Sequence, residues 1–115
     1  MKIVNLETFR SLPNGTVFSK YTPCVFSGLM IKVDTWDGDF LYQDLIENID
    51  CESSEDFVDK CDLAEAGGSI GLDFYCNDRD GLHENDQLFA VYEENDLTGL
   101  INRLRVAEKE CLVGE

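Results

Sequence analysis

A chain of 115 residues, 43% hydrophobic and 29% charged, has the composition of one folded domain and excludes a disordered acidic tail. Its charge is less ordinary: 24 Asp and Glu against nine Lys and Arg leave a net −15 at pH 7, where a small domain typically carries about 2 to 8 charges. A field of that sign repels phosphates, so it excludes direct binding to DNA, RNA or an anionic membrane surface and favours basic partners.

The opening "MKIVNLETFR" lacks the apolar core of a signal sequence, and no apolar run approaches the ~18 residues of a membrane span. Cys24, Cys51, Cys61, Cys76 and Cys111 are odd in number and show no CxxC spacing. They read as small apolar residues in a reducing, cytoplasmic setting, without a disulfide framework or zinc site. A short helix is expected over Leu6–Leu12, capped by Asn5, with Leu6, Phe9 and Leu12 apolar and "PNG" as its stop. "TVFSKY" and "VFSGLMIKVDTW" read as strands, the second alternating Leu29, Ile31 and Val33 against Met30, Lys32 and Asp34. "DGD" marks a hairpin turn, and "FLYQDLI" is the returning strand.

"SSEDFVDKCDLAEAGG" predicts a helix with Ser53 as cap, Asp56 three residues on, and Gly67–Gly68 as the stop. "SIGLDFYC" places Ile70, Leu72, Phe74 and Cys76 on one face and predicts a half-buried strand. The polar loop "NDRDGLHEND" then leads to the strand "QLFAVY". A last helix, capped near Asn95, carries the apolar stripe Leu97, Leu100, Ile101 and Leu104, with Arg103, Arg105 and Lys109 toward the negative end of its dipole. Together these predict a single α+β domain: one mostly antiparallel sheet of about five strands, with about three helices packed on a face.

The sequence offers little chemistry. Residues 76–87 resemble a calcium loop at Asp78, Asp80 and Gly81, yet Cys76 and Gln87 stand where the strongest carboxylate ligands belong. Weak divalent binding by Asp78, Asp80, Glu84 or Asp86 is the most this loop suggests, so neither a metal site nor a cofactor is predicted. His83 is the sole histidine and Cys76 the nearest thiol, but a thiol on the apolar face of a strand is inert. "AGGSIG" leaves a helix for a strand, the reverse of a dinucleotide loop. No catalytic residue is assigned, and the chain is read as a non-enzyme. The alternatives are a small Cys/His- or carboxylate-dependent enzyme, or a ligand-binding protein, using residues 76–84, and an acidic assembly protein.

The acids are concentrated. Residues 33–102 hold twenty of them against Lys60 and Arg79 alone, and Asp34–Glu65 holds twelve against one lysine. On the predicted helix, Glu55, Asp59 and Asp62 share a narrow arc at ~5–6 Å intervals, with Phe57, Cys61 and Ala64 opposite. Asp37 and Asp39, two apart on extended backbone, lie ~6.6 Å apart. Both spacings resemble that of phosphates along a nucleic-acid strand. The candidate partner-binding set is therefore Asp34, Asp37 and Asp39 at the hairpin and Glu55, Asp59 and Asp62 on the helix, with Trp36 as an aromatic anchor. Tyr42 and Tyr75 also lie in or beside acidic segments, whereas Phe40 and Phe74 read as core.

The segments "LPNGTVFSKYTPCVFSGLMIKVDTW" and "DGLHENDQLFAVYEENDLTGLINRL", about half the chain, resemble small acidic proteins encoded by phages and prophages. That resemblance implies short, non-enzymatic proteins that bind and block host defence, as anti-CRISPR proteins and DNA-mimic inhibitors of restriction do. The partner it implies is a basic host protein or nucleoprotein complex, such as a CRISPR effector, a restriction enzyme or another defence component, in the cytoplasm of an infected bacterium. No site residues are carried over from it.

Overall fold

Asn5 ends one strand and caps one helix, and the fold is organised around that corner. Its side chain accepts the Thr8 amide at 2.9 Å, which turns β1 (Lys2–Asn5) directly into α1 (Leu6–Ser11). The computed structural model describes residues 1–36, 38–81 and 85–113. Beyond α1 come β2 (Val17–Thr22), β3 (Val25–Trp36) and β4 (Asp39–Asp44), then α2 (Ser54–Glu65), β5 (Asn77–Arg79), β6 (Leu88–Val91) and α3 (Glu94–Val113). The strands form one antiparallel sheet in the order β1-β6-β2-β3-β4-β5. The class is α+β as expected, with one strand more than the sequence suggested.

Only α1 packs well on the sheet. Phe9 is fully buried, stacked on Phe89 with ring centroids 4.2 Å apart and meeting Phe18 and Phe40 edge-on at 4.6 and 5.0 Å. Leu6 and Met30 complete the core. Each buried aromatic contributes about 1.5–3 kcal/mol through burial, with a smaller gain from the ring geometry.

The expected polarity of β3 is reversed. Met30 and Lys32 are buried, while Leu29, Ile31 and Val33 are half-exposed. α1 makes this possible: its final carbonyls, on Arg10 and Leu12, accept from the Lys32 ammonium, and the same cation lies 5.9 Å from the centre of the Phe9 ring. Burial lowers the Lys32 pKa, partly opposed by Asp34. Two bulges also break the alternation. One inserts Gly28 (φ 77°) and Leu29 opposite Ser19; the other skips Val33, so that Asp34 pairs with Leu41 and Thr35 with Phe40.

Four other expectations need correction. "SIGLDFYC" forms no strand and contributes a single bridge, Leu72 to Ile49, while the neighbouring polar residues Asn77–Arg79 form edge strand β5. β1 lies in the opening segment, where no strand was read. α2 and α3 do not join α1 on the core: α2 buries no residue, and no described side chain of α3 is buried. α3 also runs past Lys109 to Val113, leaving no base in its last turn. The chain is accordingly extended, with a radius of gyration of 16.6 Å against about 13 Å for a compact chain of this length.

If Lys32 pins β3 to the end of α1, Lys32→Ala should lower the unfolding free energy by about 2–4 kcal/mol in urea titrations, and Lys32→Met, which keeps the stem over Phe9, by less. A parental unfolding midpoint for Lys32→Ala would show that α1 is held by the phenylalanines alone.

Candidate functional site

Two groups of acids stand out. The first holds the fold together. Asp39 is buried, accepts the Phe40 and Gly81 amides at 2.8 and 3.1 Å, and pairs with Arg79 through its other oxygen. Burial alone would raise its pKa; the Arg79 hydrogen bond and the two amides outweigh it and hold the carboxyl below its ordinary value. Asp44 accepts the Ile46 and Glu47 amides, Asp73 accepts the Tyr75 amide, and Asp80 pairs with Lys20 at 2.9 Å. Glu93 and Asp96 clasp the N-terminal ammonium at 3.0 and 2.6 Å.

The second group occupies residues 47–65. Glu47, Asp50, Glu52, Glu55, Asp59, Asp62 and Glu65 are all exposed, and among the described residues none of the seven makes an ion pair. The only base in this stretch is Lys60, which lies 3.5 Å from Asp56 and donates to the Asp50 carbonyl at 2.6 Å. Local chemistry builds the helix beneath these charges. Ser53 accepts the Asp56 amide at 3.0 Å, and the Asp56 carboxylate accepts the amide of Glu52, the residue before the cap, at 2.9 Å, a variant of the capping box. α2 thus presents Glu55, Asp59 and Asp62 on one arc in open solvent, while Cys61 and Ala64 opposite are half-buried and Phe57 stays exposed.

The other candidates are placed differently. Asp34 is exposed and accepts its neighbour's amide from Thr35 at 2.8 Å. Asp39 points inward with both oxygens engaged, so it serves the hairpin rather than a partner. Asp37 and the side chain of Trp36 lie outside the described residues. Phe40 is core as expected and Tyr42 packs against it, but Phe74 is exposed and Tyr75 is 80% exposed. Those two aromatics lie close to the acidic segment, because the Asp50 backbone amide donates to the Gly71 carbonyl at 3.0 Å and the Asp73 amide to the Asn48 carbonyl at 2.7 Å around the Ile49–Leu72 bridge. The "DFY" triplet was the available signal, masked by an alternation that suggested a strand.

The described part of the Cys76 region shows a thiol held in its neutral form. Burial raises the Cys76 thiol pKa, and the nearby Asp78 and Asp73 carboxylates raise it further, the opposite of nucleophile activation. His83 and Glu84 lie outside the described residues. No group of three or more potential metal ligands gathers among the described ones, and no helix among them is long and apolar enough to cross a membrane. Comparison of the chain with protein-family models, curated proteins and solved structures finds no match.

Asp39→Asn should cost about 1–3 kcal/mol at neutral pH, because it removes the charge from a buried site with three donors. Since the folded-state pKa is depressed, this contribution is present above the ordinary carboxylate range, near pH 3.9, and disappears as pH falls through the folded value. Urea titrations from neutral to strongly acidic pH should therefore show a shallower acid limb for Asp39→Asn than for the parent.

Proposed function

We propose that the protein is a counter-defence inhibitor of the phage type, which binds a host nucleic-acid-handling complex through the acidic surface of residues 47–65 and occludes its basic nucleic-acid-binding site. The carrying observation is the group of seven exposed acids that make no ion pair among the described residues. Like charges along a helix cost a few tenths of a kcal/mol per pair, and natural surfaces relieve that cost by mixing signs. A basic groove would supply the missing counter-charge, just as it does for a nucleic-acid backbone.

In this reading Glu55, Asp59 and Asp62 occupy phosphate-like positions in the groove. Tyr75 and Phe74 supply aromatic contact at the margin, the role first expected of Trp36. Asp34 is a peripheral contributor. The protein is a binder rather than an enzyme, acts in the cytoplasm of an infected host, and contacts nucleic acid only by displacing it.

The test is competition. A purified host CRISPR effector or restriction enzyme, holding a fluorescent duplex, should lose that duplex to the parent protein. The variant Glu55→Lys/Asp59→Lys/Asp62→Lys should keep its circular dichroism spectrum, since none of the three is buried, and compete at least about tenfold less well at low salt. A triple variant as potent as the parent would remove α2 from the interface.

A further inference from the structure

α3 poses a separate problem from the acids. Leu97, Leu100, Leu104, Ala107 and Cys111 follow a 3-4-3-4 spacing, the a and d positions of a heptad, along ~21 Å of helix. Leu100, Ile101 and Leu104 are 37%, 49% and 59% exposed, and Cys111 is also exposed. Leu97 and Ala107 are half-buried and no seam residue is buried, so the seam is not a core stripe of this chain. The molecule as a whole exposes 8074 Å², about 1,700 Å² more than a compact chain of its mass. A standard interface takes about 800 Å² from each partner.

Charge points to the occupant. α3 carries four acids and three bases, whereas residues 1–93 carry nineteen acids and six bases. The helix is the nearly neutral part of a strongly acidic protein, so two copies can approach here with least repulsion. Flanking the seam, Arg103 falls at a g position and Glu108 at the following e position. In a parallel, in-register pair, Arg103 of each copy faces Glu108 of the other, giving two symmetric attractions. The antiparallel register that stacks Leu97 on Ala107 and Leu100 on Leu104 would instead set Arg103 against Arg103 and Asp96 against Glu110.

We propose that α3 is a self-association element: two copies pair in parallel through Leu97, Leu100, Leu104, Ala107 and Cys111, with Arg103 and Glu108 fixing direction and register. Such a pair is isologous and closes on itself. It is independent of the reading of the acidic surface, since none of its residues belongs to that surface.

Sedimentation velocity over a micromolar concentration series should show a monomer–dimer equilibrium. Leu100→Asp/Leu104→Asp should raise the dimer Kd at least about 100-fold while leaving the circular dichroism of the sheet unchanged, because both side chains are exposed in the single chain. Arg103→Glu alone should weaken the dimer about 5- to 10-fold, and Arg103→Glu/Glu108→Arg should restore it. Mild oxidation with diamide, which accepts the two electrons and two protons, should join Cys111 to Cys111, as mapped by mass spectrometry of the linked peptides. The proposal is overturned by a parent that stays monomeric throughout, by a dimer that survives Leu100→Asp/Leu104→Asp, by failure of the charge swap to restore pairing, or by cross-links that avoid Cys111.

Discussion

Phe9 is the point on which the sheet's covered face depends. It is the only aromatic on α1, and it reaches Phe18, Phe40 and Phe89 at once, from strands that are not all neighbours in the sheet. A helix of six residues contributes only Leu6 and Phe9, and among the described residues the buried hydrophobic cluster holds six side chains. Lys32 extends it by an unusual route. Its stem lies under the helix and its ammonium bonds carbonyls at the helix end, so a charged residue fills a place that a larger helix would give to an apolar one. A covering element this small leaves no core site for α2 or α3. Their apolar residues find no place in that cluster, and Phe57, Leu100 and Leu104 remain exposed.

The same economy explains why so acidic a chain can fold. Much of its negative charge is tied to specific donors. Asp39 ties β4 to Arg79 and Gly81, Asp44 turns the chain out of β4, Asp80 holds Lys20, and Glu93 with Asp96 anchors the chain start beside α3. These carboxylates complete hydrogen bonds that the backbone would otherwise leave open, which makes them structural whatever the surface does. The largest group of the remaining acids lies in residues 47–65, on α2 and the segment leading into it, where no residue is buried. A charged surface on a stretch with no packing duty can change without disturbing Phe9 and its neighbours, and that separation suits an interface shaped by its partner.

Local chemistry was legible in the sequence, and non-local chemistry was not. Asn5 and Ser53 cap their helices as their spacing indicates, β3 runs from Val25 to Trp36 as read, and Glu55, Asp59 and Asp62 share an exposed face. The facing of β3 failed because bulges at Gly28 and Val33 shift the parity, and because the lysine's partners are carbonyls twenty residues away. The β2–β3 turn had a similar disguise: Cys24, with φ 69°, stands where glycine would have announced it. Asp39 looked like its neighbours Asp34 and Asp37, since only Arg79, forty positions on, distinguishes it. The strand expected at "SIGLDFYC" had the right alternation but only a single bridge to Ile49, and its aromatics ended outside.

The two exposed helices answer to different forces, and the sequence keeps those forces apart. α2 carries charge without a continuous apolar seam; α3 carries an apolar seam with almost no net charge. Mixing the two would defeat both. Acids along the Leu97–Cys111 seam would repel a second copy, and a heptad seam on α2 would draw the acidic faces together, where their charges oppose contact at close range. With the features divided, pairing through α3 would leave each 47–65 segment open to solvent and place two of them on one particle. A basic groove with two suitable sites would then meet the second segment at a high effective concentration, gaining affinity without any new contact in the chain.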